Sequence, residues 1–339
     1  MRASLRAPRI AAGALLCGLA AGCAPSPDLV VYCSLDQEFS EPLIAEFERA
    51  TGLEVDAQFD VERNKTVGMV QRIRVEAGNP RADVFWNNEI AHTLRLKDAG
   101  LTEAFEPANA ATLPEAYRDP QHHWHGFAAR ARVLLYRTDR PVRLPRSLDE
   151  MLDPEIARGG ALAKPLTGTT LTHFTVLAEQ RGREGALDWL RRAERSGLRW
   201  GSGNADVMRG VARGEFDWCL TDTDDAAKAI QDGYPVAIAW LDQGPPGSGT
   251  LLIPNTVAIL RGAPHRAAAE RFVNWLLSPA VEARLAASPS RQIPLHPGVA
   301  VPDDVRLPGR DFAPLDVNWP AVARAIEACE KEFRALLVD

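Results

Sequence analysis

Between Leu29 and Gly100, short apolar runs alternate with stretches of helical periodicity. Leu29 to Cys33 (LVVYC) reads as a buried strand. Ser40 to Thr51 reads as a helix, with Leu43, Ile44 and Phe47 on one face and Gly52 at its end. Leu53 to Phe59 is a second strand, and Lys65 to Glu76 a helix with Val67, Val70 and Ile73 apolar. Asp83 to Trp86 is a third strand, and the helix Ile90 to Ala99 stops at Gly100. Strand–helix alternation of this kind commits a chain to an α/β sheet with helices packed on its faces.

The second half keeps the alternation with new spacing. Strands are expected at Val133 to Tyr136, Gly160 to Ala163, Asp217 to Leu220 and Val236 to Leu241, and an extended segment at Thr250 to Ile259. A helix is expected to begin at Ser147 to Asp149. Further helices are expected over Gly185 to Gly197, Ala205 to Gly214, Ala226 to Gly233, Pro264 to Leu277, Pro279 to Ala287 and Trp319 to Leu337. Asp242 to Gly249 (DQGPPGSG) is a hinge candidate, because glycine and proline punctuate regular structure and permit unusual backbone angles.

The first 22 residues are read as something other than folded protein. Arg2, Arg6 and Arg9 precede a twelve-residue apolar run, Ile10 to Ala21, too short to span a bilayer as a helix. This is an export signal over 1–22. Cys23 follows a small-residue cut and resembles the acylated cysteine of a bacterial lipobox, although Ala20 stands where a larger apolar residue is usual. Residues 23–28 then form a lipidated tether. A net charge of −6 and the absence of a basic stripe argue against a nucleic-acid partner. Cys33, Cys219 and Cys329 lie far apart, without metal-ligand spacing, and are expected as buried thiols. His122-His123-Trp124-His125 is expected to be a structural turn, since adjacent side chains of an extended chain point apart.

Several fragments resemble those of a known family when taken in order. They are Val31-Tyr32, Phe47-Glu48-x-x-Thr51-Gly52, Arg81 to Trp86, Arg130 to Val133, Gly203 to Val207, Gly214 to Asp217, Gly249-Thr250-Leu251 and Phe272 to Pro279. Together they resemble the extracellular solute-binding proteins of ABC importers, in particular the ferric-iron-binding branch. The resemblance implies a two-lobed type II periplasmic binding fold, each lobe a sheet flanked by helices, with a hinge between them. The lobes are expected at 29–128 with 248–300, and at 129–247 with 301–339.

In the iron-binding relatives the metal ligands include a polar residue after the first strand, here Asp36, and one after the third strand, here Asn88 or Glu89. The relatives complete the site with two adjacent tyrosines. This chain has Asp224-Asp225 there, in the run Thr221-Asp222-Thr223-Asp224-Asp225. Asp36, Glu89, Asp224 and Asp225, with Asn88 and Asp222 as further candidates, therefore offer oxygen ligands alone. Such a set suits a hard cation, Fe³⁺ among them, or a cationic organic solute. One of these aspartates is also expected to cap the helix near Ala226. The relatives hold an accompanying anion near the positions of Thr167, Gly168, Thr169, Thr170 and Asn204. Small hydroxyl residues at a helix start can present backbone N–H groups to an oxyanion, or simply cap the helix. Arg130 and Arg132 alternate on one face of a strand, so one could reach an anion, or they could form an inter-lobe salt bridge.

The expected function is that of an exported, lipid-anchored, monomeric receptor at the periplasm or cell surface. It would capture a small solute and deliver it to an ABC permease, with no reaction and no cofactor beyond a carried ion. Two alternatives are a sensor subunit that signals to a membrane partner and a secreted metal-dependent hydrolase. No nucleophile elbow, phosphate loop or zincin helix accompanies the carboxylates.

Overall fold

The computed structural model describes residues 26–60 and 66–338. The expected signal at 1–22 and Cys23 lie outside the described residues, as does Lys65.

The first part of the chain runs β1 (Leu29–Cys33), α1 (Gln37–Thr51), β2 (Val55–Phe59), α2 (Val67–Val75), β3 (Val84–Asn87), α3 (Ala91–Asp98) and β4 (Thr102–Glu103). β1 is flanked in parallel by β2 and β3. α1 buries Phe39, Leu43, Ile44 and Phe47 and ends at Gly52, whose φ of 72° closes the helix in the left-handed conformation. Then comes β5 (His125–Arg137), a strand of 13 residues. At about 3.3 Å per residue it is roughly 40 Å long, enough to serve two sheets.

The middle of the chain contains α4 (Pro154–Ala157), β6 (Gly160–Ala163), α5 (Gly168–Arg181), α6 (Arg183–Ser196) and β7 (Arg199–Gly201). It continues with α7 (Asn204–Ala212), β8 (Trp218–Asp222), α8 (Thr223–Gln231) and β9 (Val236–Ala239). β10 (Leu252–Leu260), α9 (Arg266–Leu276), α10 (Pro279–Ala287) and α11 (Trp319–Leu337) complete it. After the expected helix start at Ser147 come a 3₁₀ turn at Glu150–Leu152 and then the single turn of α4.

The strand order is β2-β1-β3-β10-β5-β8-β6-β7, with β4 added beside β10 and β9 beside β5. β5 changes partners midway. His125 to Ala131 pair with β10, whereas Arg132 to Tyr136 pair with β8. The sheet thus forms two lobes that share one continuous strand. Asp242 to Gly249 lies in the second connection, between β9 and β10.

Each lobe has an aromatic knot. Phe47 meets Phe272 edge-on at 5.0 Å, and Trp86 lies 5.6 Å from Phe127. In the second lobe Phe174 contacts Trp189 at 5.0 Å and Phe333 of α11 at 6.4 Å. α11 buries Trp319, Val322 and Ile326 in a cluster that also contains Ile90, Ala91 and Leu94, so it packs on both lobes. Cys33, Cys219 and Cys329 are free, buried thiols. Among the described residues no helix is long and apolar enough to cross a membrane.

A buried acid fastens α10 to the shared strand. Glu282 is wholly buried. It accepts from the backbone N–H of Ala128 at 2.6 Å, Leu295 at 2.9 Å and His296 at 2.9 Å. It also accepts from His296 Nδ1 at 2.8 Å, while Nε2 of the same ring donates to the Asn109 carbonyl at 2.8 Å. Both ring nitrogens donate, so the ring is held as the imidazolium. Burial opposes that charge, but the bonds to Glu282 and Asn109 outweigh it and raise the His296 pKa. The resulting stabilisation is complete below the unfolded value of about 6.5 and is lost as pH rises through the folded value. Urea titrations should therefore show stability falling above about pH 6.5, and His296→Gln should flatten that slope. Glu282→Gln should cost roughly 3–5 kcal/mol, the scale for breaking a buried charge pair.

Candidate functional site

A cleft of about 690 Å³ opens at the carboxyl ends of β1, β3, β6 and β8, with Arg130 of β5 in its wall. Open α/β sheets place ligands at such strand ends. Asp36 and Asn88 line it from the first lobe. Thr167 to Thr170 at the start of α5, Asn204 at the start of α7, and Asp222, Asp224 and Asp225 around the start of α8 line it from the second.

The three second-lobe aspartates can place ligand oxygens within 4.8 Å of one another. Their surroundings differ. Asp222 Oδ1 accepts from Arg132 at 2.7 Å, and its Oδ2 accepts from Thr169 at 2.6 Å and Asn204 at 3.0 Å. Thr170 donates to Asn204 Oδ1 at 2.9 Å. Of the residues expected to bind an anion, Thr169, Thr170 and Asn204 are thus joined with Asp222 in one network. Arg132 is the strand partner of Asp222 in the β5–β8 ladder, and its side chain is wholly buried.

Asp224 lies 3.4 Å from Arg130 Nε, and both residues are buried. Burial pushes the Asp224 carboxyl upward. Arg130 pulls it down, and the charges of Asp222 and Asp36 push it up again, leaving a net rise. Burial works against the Arg130 guanidinium, but Asp224, Asp222, Asp36 and Asp225 outweigh it and hold its proton more tightly. Asp225 accepts from Thr221 at 3.0 Å.

Glu89 is not among the residues lining the cleft. It is wholly buried and accepts from the backbone N–H of Ala91 at 2.6 Å and His92 at 2.9 Å, and from Asn87 at 2.9 Å. A carboxylate at a helix start satisfies otherwise unpaired N–H groups and complements the helix dipole, and that is its place at α3. Asn88 does face the cleft, and its Oδ1 accepts from Thr66 at 3.0 Å.

The cleft also contains groups that the sequence reading passed over. Lys164, Arg209 and Lys228 line it, with Asp206 and Glu38. Lys228 could have been found from its spacing, four residues after Asp224 on a helix. The N-caps of α5 and α7, Thr167 and Gly203, make no side-chain cap bond. Four helix starts, those of α1, α5, α7 and α8, meet this cleft, so their positive dipole ends oppose its carboxylates.

The family follows from these features and from comparison. The chain belongs to the bacterial extracellular solute-binding proteins, whose family model matches residues 42–308. It is 28% identical over 342 residues to "Iron uptake protein A1" of Synechocystis sp., covering 91% of each chain. It is 24% identical over 311 residues to "Major ferric iron-binding protein" of Neisseria meningitidis, covering 88% of each. The fold matches that of iron-bound HitA from Pseudomonas aeruginosa with a TM-score of 0.80 at 22% identity, over 90% of this chain and 98% of that one. The solute-binding class expected from the ordered fragments is the class found. Neither the sensor nor the hydrolase reading draws support from these relatives.

The Arg132–Asp222 pair yields a stability test. Removing one member leaves the other charged and buried, so Arg132→Met and Asp222→Leu should each cost roughly 3–5 kcal/mol. The double variant Arg132→Met/Asp222→Leu should cost clearly less than the sum of the two single changes. Urea denaturation of the three proteins measures both expectations.

Proposed function

We propose that this chain is the solute receptor of an ABC importer and captures a hard cation, with ferric iron as its cargo. The carrying observation is that carboxylates from both lobes, Asp36 on one side and Asp224 with Asp225 on the other, line one cleft. Oxygen-only donors suit a small, highly charged cation. The names of the relatives point to the same cargo. None of the chain's four tyrosines lines the cleft, so the ligands are carboxylates rather than phenolates. An oxyanion accompanying the cation would sit against the first turns of α5 and α7, at Thr167 to Thr170 and Asn204, near Lys164 and Arg209. The lobes, 29–128 with 248–300 and 129–247 with 301–339, would close around the pair and pass it to a permease in the cytoplasmic membrane. The receptor would act as a monomer on the outer side of that membrane, tethered through an acylated Cys23.

Elemental analysis and native mass spectrometry of the purified protein test the cargo directly. Asp224→Asn and Asp225→Asn should each weaken cation binding by roughly 2–5 kcal/mol, the scale for truncating a desolvated charge partner. Unchanged affinity in both variants would move the cation elsewhere. An iron-loaded sample should show no visible phenolate charge-transfer band.

The anchor has its own test. Cys23→Ser should move the protein from the detergent phase to the soluble fraction or leave the signal uncleaved. Identical partitioning of variant and wild type would remove the lipid from this account.

A further inference from the structure

Two arginines alternate on β5 at the point where the strand changes partners. Arg130 is still paired with Ile253 of β10, whereas Arg132 is paired with Asp222 of β8. Both face carboxylates, and the two pairs are made very differently. Arg132 donates to Asp222 at 2.7 Å, and the second oxygen of Asp222 is filled by Thr169 and Asn204. Arg130 approaches Asp224 only to 3.4 Å; the Nε atoms of both arginines lack a hydrogen-bond partner among the described residues, so the contrast lies in the distance to the carboxylate. Arg130 is 3% exposed. The first pair is a closed structural contact. The second neutralises charge without a good bond, and it faces the cleft.

Arg130 is also fixed from behind. Its second terminal nitrogen donates to Asn255 Oδ1 at 2.9 Å. Asn255 Nδ2 in turn donates to the Ala128 carbonyl at 2.8 Å and to Gln292 at 2.6 Å. This is the position where the β5–β10 register shifts. The guanidinium is thus tied into the sheet as a stationary positive charge beside Asp224.

We propose that Arg130 is a specificity-determining residue of the cleft, an internal counter-cation that neutralises Asp224 before a solute arrives and yields it to a multivalent hard cation but not to a monovalent one. The inference rests on the cation reading above. Attraction to a carboxylate grows in proportion to the charge of the ion. A trivalent ion therefore outcompetes a guanidinium held at 3.4 Å, whereas potassium or sodium does not. The stationary charge also weakens the hold on the cargo, which keeps capture reversible and permits transfer to a permease.

Calorimetric titration of Tb³⁺, a hard trivalent probe, into the full chain in detergent tests this. Arg130→Met and Arg130→Gln remove the charge, and Arg130→Gln keeps a donor for Asn255 should the first variant not fold. Both should bind Tb³⁺ at least tenfold more tightly than wild type. Their binding should become sensitive to added KCl, with wild type much less so. Arg130→Lys should return affinity to within about threefold of wild type, which a purely structural role would not produce. If wild type binds Tb³⁺ and the neutral variants bind no more tightly, the counter-cation role is overturned and the cation reading stands. If no protein in the series binds Tb³⁺ or Ga³⁺, the cation reading falls and takes the counter-cation role with it.

Discussion

Three arginines are buried on one strand, and the two in its middle, Arg130 and Arg132, must each find a carboxylate; much of this cleft follows from that requirement. An unpaired buried charge costs more than a small domain can spare. Arg132 meets the demand through its ladder partner Asp222, which fixes the end of β8 and the start of α8. Thr169 and Asn204 then complete Asp222, which draws the starts of α5 and α7 to the same point. Three helix starts are thus gathered by the oxygens of one aspartate.

The same strand holds the lobes together and sets where they separate. β5 is continuous across both sheets, so the lobes share a backbone rather than a flexible linker. Near the change of partners the ladder is irregular: its register shifts at Pro254/Asn255, and Ala128 takes a φ of 37°, in the left-handed region. Glu282 binds the Ala128 N–H, and Asn255 binds its carbonyl. The irregular backbone is therefore satisfied by side chains, as buried polar groups must be. α11 crosses behind, packed on α3 and α5 by one apolar face.

Much of this architecture was legible because it rests on local pattern. Gly160 to Ala163 read as a strand and is one, since four small apolar residues bounded by turns have few other uses. The helix expected from Ser40 begins at Gln37, within the ordinary error of helix ends. β5 was the large omission. Val133 to Tyr136 read as strand, and their alternation places Arg130 and Arg132 on a strand face, but the full run from His125 is not legible, because Ala128-Ala129-Arg130-Ala131-Arg132 has no β-branched residue and its apolar face is alanine alone. Its strand character comes from pairing with β10 and, from Arg132 onward, with β8, and neither partner is visible in the segment itself. Glu89 misled for a related reason. Its position after the third strand suggests a ligand, whereas the N–H groups it serves belong to a helix whose start cannot be fixed from sequence to one residue.

Under the proposed cation reading, Asp224 and Asp225 in place of the tyrosine pair that the resemblance implies would change more than the ligand atoms. A phenol is neutral at physiological pH and loses its proton when it meets a metal. An aspartate is already charged, and three of them in four residues would repel one another in a buried wall. The fold must therefore supply positive charge where a phenolate site need not. Arg132 cancels Asp222 permanently. Arg130 stands against Asp224 at a distance that neutralises without binding closely, and Lys228 follows one turn along α8. The dipoles of four helix starts add to the same side of the balance. A cleft arranged in this way tolerates its own carboxylates and still leaves a multivalent cation something to gain.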